Sequence, residues 1–189
     1  MTLEEQGALY LAALRRTRIA VPEGTLLYRA AEEVLEMAVA YQSDGMAFLR
    51  AGDHVNALAG FAYGLGWLDA GSRLGLLLPL AAHPPGGAGV YIPEALAARL
   101  DEKTHRYRRM LQSALPAIEV GPDEASPLFC GAEELRSTAR CWYTDGVNRL
   151  DAGDPAGALA RFSYGYAWLD AGIRAGLFRI TGERGLFTV

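Results

Sequence analysis

A glycine-rich, helix-length stretch with no polar face occurs twice in this chain, and it constrains the fold more than any other feature. Asp53–Leu77 reads DHVNALAGFAYGLGWLDAGSRLGLL, and Asp154–Phe178 reads DPAGALARFSYGYAWLDAGIRAGLF. Asp44 aligns with Asp145, an offset of 101 residues, and no gap is needed from Tyr41 to Leu77. Gly52, Asp53, Ala57, Leu58, Phe61, Tyr63, Gly64, Trp67, Leu68, Asp69, Ala70, Gly71, Arg73 and Gly75 all recur. A repeat this long is one structural unit built twice.

The stretch is apolar nearly all round. Ala57, Phe61, Gly64, Leu68 and Gly71 form one stripe, Leu58, Ala62 and Leu65 a second, and Tyr63, Trp67, Ala70 and Leu74 a third. Such a helix is buried on every side. Gly60, Gly64, Gly66, Gly71 and Gly75 each cost about 1 kcal/mol relative to alanine in a helix interior, so close packing has to compensate. Gly60 with Gly64, and Gly71 with Gly75, offer places where backbones can approach. One three-helix unit cannot cover all these faces, so the two copies are expected to pack through their third helices.

The preceding elements follow from end signals. Thr2 with Glu5 fits a capping box that opens a first helix through about Arg16. Val21-Pro22-Glu23-Gly24 closes it, and Thr25 is placed as the N-cap of a second helix. Its repeat mate Ser126, followed by Pro127, is a strong start signal. The second helix ends at Gly52 and the third starts at Asp53, a turn short enough to force an antiparallel hairpin. The fold class is therefore all-α: two tandem three-helix up-down units. Residues 1–78 form the first, the Pro/Gly-rich 79–93 a linker, and 94–189 the second unit with a short extended tail.

Half the residues are apolar, so a core is expected rather than disorder. A net charge of −4 supplies no attraction for phosphate backbones. Cys130 and Cys141 would lie roughly 16 Å apart along a helix, too far for a disulfide. Free thiols point to a reducing compartment, and MTLEEQ lacks the basic start of a signal peptide. The longest uncharged run, Leu74–Pro93, is broken by Pro and Gly, so no membrane span is read. A cytoplasmic protein is expected.

With these residues laid out, the chain resembles a small archaeal family known as domain of unknown function 357. The signature is a Tyr-x-x-Asp, a Gly-Asp turn, Ala-Leu, an aromatic-Tyr-small pattern and Leu-Asp-Ala. It reads here as Tyr41 and Asp44, Gly52-Asp53, Ala57-Leu58, Phe61 to Gly64, and Leu68-Asp69-Ala70. The second copy carries Trp142 in place of Tyr41, with Tyr143 beside it. The resemblance implies a compact three-helix bundle, here duplicated, and no activity.

Candidate chemistry is sparse. Asp69 and Asp170 are acids inside an apolar helix, a setting that raises a pKa and suits acid–base work. Arg73 and Arg174 follow at i+4, and that spacing favours structural ion pairs over catalysis. Tyr63 with Trp67, and Tyr164 with Trp168, place two aromatics one turn apart, as a ligand platform or as core. Packing beside Gly64 and Gly71 favours core. Asp53 and Asp154 are N-caps. Asp44 and Asp145 either bond a tyrosine across the hairpin or face water, and both readings stand.

Arg106, Arg108 and Arg109 around Tyr107, and Arg15, Arg16 and Arg18, could touch RNA, but interleaved acids favour a solvated face. His54, His83 and His105 are scattered, so no metal or cofactor is expected. The leading expectation is a non-enzymatic interaction or scaffold module with a protein partner, self or other. The alternative is a small-molecule binder or enzyme with a pocket between the repeats. That pocket would be lined by Tyr63, Trp67, Asp69, Arg73, Tyr164, Trp168, Asp170 and Arg174.

Overall fold

The computed structural model describes residues 1–188; Val189, the last residue of the expected tail, lies outside the described residues. Six helices carry the fold: α1 (Leu3–Arg16), α2 (Tyr28–Arg50), α3 (His54–Arg73), α4 (Ala97–Ala114), α5 (Pro127–Asp151) and α6 (Pro155–Arg174). Helices α1–α3 form one unit and α4–α6 the other. The units pack through α3 against α6.

The end signals act as their chemistry dictates. Thr2 and Glu5 exchange both hydrogen bonds of the capping box. Asp53 accepts from the Asn56 amide at 3.1 Å and Asp154 from the Gly157 amide at 2.8 Å. Gly52 and Gly153 take φ of 74° and 77°, which lets the next amide reach back to Phe48 O and Arg149 O and ends α2 and α5 abruptly. Ser126 caps α5 through the Leu128 amide, with Pro127 in the first turn. Thr25 does not cap α2. Its hydroxyl donates to Pro22 O within the preceding turn, and α2 starts at Tyr28 with no side-chain cap.

Each unit is closed by a short ladder too brief to leave a periodic signal. β1 (Arg18–Ile19), just after α1, pairs antiparallel with β2 (Leu77–Leu78), just after α3. β3 (Ile118–Val120) pairs with β4 (Phe178–Ile180) at the corresponding places in the second unit. The start of the tail is thus a strand against β3. A 3-10 turn at Arg184–Leu186 follows.

The core is centred on α3 and α6, in which Ala57–Ser72 and Ala156–Gly172 are buried throughout. The glycines have distinct tasks. Gly75 lies past the end of α3 with φ 71°, so it terminates the helix rather than weakening it. A Cβ on Gly64 would strike Tyr10 and Tyr41, and one on Gly71 would strike Val34 and Leu77, so both admit helices of their own unit. Gly66 alone among the α3 glycines meets the other unit: a Cβ there would lie 2.6 Å from Tyr164 O and 2.7 Å from the Ala167 Cβ. No helix among the described residues is long and apolar enough to cross a membrane.

Candidate functional site

The seam brings the expected tyrosines and acids together in crossed pairs. The Tyr164 hydroxyl donates to Asp69 Oδ2 at 2.5 Å, and the Tyr63 hydroxyl donates to Asp170 Oδ2. Burial first, and then the facing carboxylate, push both hydroxyls far above the ordinary tyrosine value, so each stays a donor. Trp67 and Trp168 are buried beside their tyrosines, ring centroids 6.2 Å apart in both copies.

The i,i+4 ion pairs expected from spacing do not form. Arg73, the last residue of α3, makes a two-pronged bond to Glu134 of α5 at 2.6 Å, and Arg174 reaches Glu33 of α2 at 3.2 Å. A buried carboxylate facing a tyrosine has its partner across the seam, while an arginine at a helix end extends to the next helix. Asp69 also accepts from the His83 amide at 2.6 Å and meets His83 Nδ1 at 2.5 Å.

Two cavities flank this seam. Asp69, Arg73, Tyr164 and Trp168 line an open one of about 400 Å³ beside Leu80–Ala82. Its charged groups are already partnered. The other, about 360 Å³, has walls from both units: α2 and α3 of the first, α4, α6 and the tail of the second. Tyr41, Phe48, Tyr63, Tyr107, Tyr166 and Phe187 supply six aromatic side chains. The Tyr166 hydroxyl donates to Leu186 O and so holds the tail against the cavity. Burial pushes the Tyr41 hydroxyl up to about 12.

Lys103 is the polar centre of this second cavity. It is the one lysine of the chain, and only 9% exposed. Its Nζ donates to Asn56 Oδ1 at 2.5 Å and lies 5.1 Å from the centre of the Tyr107 ring. It makes no salt bridge among the described residues. Asp53, to which the Asn56 side chain also donates, is held by Arg99 at 2.7 Å. Burial, followed by the Arg106 charge, lowers the Lys103 pKa below the usual lysine range. Asp44 sits at the cavity wall, exposed and likewise without a salt bridge among the described residues.

Of the eight residues expected at a site, Tyr63 alone faces this cavity. Lys103 and Asn56 escaped the sequence reading, which named Tyr107 only within the arginine cluster of α4. Two signals pointed to them: a single lysine among arginines, and the mismatch of Gly60 with Arg161 inside an otherwise close repeat. The basic run near Tyr107 is partly engaged, Arg106 lying 3.8 Å from Glu102 and 6.0 Å from the Tyr107 ring centre. No group of three or more His, Cys, Asp or Glu among the described residues is placed to hold a metal ion.

No curated protein and no solved structure matches the chain. One family model does, that described as "Protein of unknown function (DUF357)", over residues 9–77 and again over residues 106–178. Each match runs from within the first helix of a unit to the strand after its third. Built twice over on that pattern, the chain belongs to the DUF357 family.

Proposed function

We propose that the protein binds a small organic acid in the cavity between its two units, residues 1–78 and 94–189, with segment 79–93 joining them. One observation carries this reading: a lysine nine-tenths buried among aromatic rings, in salt-bridge contact with no carboxylate among the described residues. A buried ammonium without a counter-charge is costly. A carboxylate or phosphate from a ligand supplies the missing charge, and the tyrosine and phenylalanine faces take up its apolar part. The reading is of binding; among the described residues no nucleophile paired with a base stands beside Lys103.

The single lysine makes the test direct. Protein grown with ¹³C-labelled lysine gives one ε-methylene resonance, which is titrated with a panel of aromatic and aliphatic carboxylates and phosphates. Saturable shifts are expected, and Lys103→Met, which carries no lysine to label and is read by isothermal titration calorimetry beside the parent, should lose the binding. If no acid in the panel moves the resonance, the reading fails.

The interaction-module reading keeps one observation in its favour. Leu26 and Leu27 before α2, and Leu128 at the start of α5, are exposed, and Leu27 and Leu128 are repeat mates. Sedimentation of the protein beside Leu26→Ser/Leu27→Ser reads whether copies of the chain associate there. Cys130 and Cys141, both exposed and free, support a reducing compartment such as the cytoplasm.

A further inference from the structure

The two units differ most where the third helix passes the second. Gly60 and Arg161 are repeat mates, as are Asp44 and Asp145. In the second unit the Arg161 side chain donates to Asp145 Oδ2 at 2.8 Å and to Gly86 O at 2.5 Å, and the residue is 9% exposed. The aromatic pair beside it matches that in the first unit. Trp142 meets Tyr164 edge-on at 4.9 Å and 68°, as Tyr41 meets Tyr63 at 4.5 Å and 67°. In the first unit the corresponding space belongs to the cavity. A Cβ on Gly60 would meet Gly45 Cα and Tyr41 O at 3.7 Å, ordinary contact distances, so the backbone leaves room for a side chain. Asp44, which lines the cavity with Gly60, has no cationic partner among the described residues.

We infer that the ligand carries a guanidinium or amidinium group that seats beside Gly60 and pairs with Asp44, as Arg161 pairs with Asp145. The inference rests on the cavity being a binding site and adds the ligand's second pole. Its acid meets Lys103, its planar cation meets Asp44, and the class is a guanidino acid. A planar fork suits the place better than an ammonium, because Arg161 uses two separate nitrogens there, one on Asp145 and one on Gly157 O at 3.3 Å, and the mates of those two residues, Asp44 and Asn56, both line the cavity. The Tyr41 and Tyr63 rings supply aromatic surface on which such a group stacks.

The test compares γ-guanidinobutyrate with hexanoate, an acid of similar length without the cation, by the Lys103 resonance. The guanidino acid is expected to bind about fivefold more tightly, the worth of one partly exposed ion pair. Asp44→Asn, an exposed substitution, should erase that preference and leave hexanoate binding unchanged. Gly60→Arg should place in the first unit what Arg161 places in the second, fold as the parent does, and exclude γ-guanidinobutyrate. Equal affinity for the two acids, or an unaltered preference in Asp44→Asn, overturns the inference and leaves the cavity reading standing. If neither these two acids nor any other moves the resonance, both fail. Should Gly60→Arg not fold, the Asp44→Asn comparison still decides.

Discussion

Asp69 and Asp170 are the same residue in two copies of one sequence, each facing a tyrosine of the other copy, yet their covers differ. Asp69 lies under the segment that leaves α3, accepts from the His83 amide and from Tyr164, and meets the His83 ring. Asp170 lies under the tail, with Tyr63 and a 3.3 Å bond from the Thr188 amide. The difference teaches what duplication kept. The tyrosines and acids that pair across the seam are identical in both units, whereas the segments that cover it have diverged. The cavity and the Gly60–Arg161 exchange lie on that diverged side.

The largest effect is expected where the units touch most closely. Gly66 and Ala167 are mates that meet across the seam, and Gly66 already has Tyr164 O within 2.6 Å of where a Cβ would lie. A carbonyl of the opposing helix cannot rotate away as a side chain can. Gly66→Leu should therefore cost about 3 kcal/mol or more by overpacking, and part both Tyr–Asp bonds together. Ala167→Gly, on the facing helix, should cost only about 1 kcal/mol. Urea denaturation of the two variants measures the asymmetry, and equal losses would mean that the seam is not set by Gly66.

The second test uses pH to separate the two acids. Burial raises Asp170 from 3.8 to about 6, against the opposing pull of its bonds to Tyr63 and Thr188 and of the Arg174 charge. Between those values the folded chain holds a proton that the unfolded chain has released. Stability from this group is thus greatest below about pH 4, falls as pH rises through the window, and is level above about pH 6. The full change is on the order of 2–3 kcal/mol. Asp170→Asn removes the titration, so the variant should gain on the parent between pH 4 and pH 7 in parallel chemical denaturations. Parallel curves for parent and variant would place the Asp170 titration outside this window.

Much of this architecture is legible in the sequence because its signals are local or repeated. The capping box of Thr2 and Glu5, the Ser126-Pro127 start, the Gly52-Asp53 turn and the apolar girth of α3 each follow from residues a few positions apart. The seam itself is inferred from one physical demand, that a helix without a polar face be covered. What was not legible depends on partners remote in the chain. Asp69 could be matched to Arg73 by spacing, but Tyr164, 95 residues on, takes its place once the helix is buried. Thr25 has the chemistry of a cap, yet the turn at Pro22 offers its hydroxyl a nearer carbonyl. β1 and β2 are two residues each, too short for alternation to show. The cavity exists because α4 brings Lys103 and Tyr107 to the flank of α2 and α3, which no window on either segment reveals.

The smallest effect concerns the caps, where the units again differ by what lies over them. Asp154 caps α6 and otherwise meets, among the described residues, only Arg149, at 3.5 Å. Asp53 caps α3, but its second oxygen accepts from the Asn56 side chain and from Arg99, both at 2.7 Å. Asn56 in turn holds Lys103. Loss of the cap alone should cost about 1 kcal/mol in Asp154→Ala. Asp53→Ala should cost that and about 0.5 kcal/mol more for the partly exposed Arg99 pair. It should also free Asn56, so that the Lys103 resonance moves although Lys103 itself is untouched, while in Asp154→Ala it stays in place. Two variants equal in stability and equally silent at Lys103 would show that Asp53 is a cap and nothing more, and that Lys103 is positioned by the walls of the cavity rather than by the start of α3.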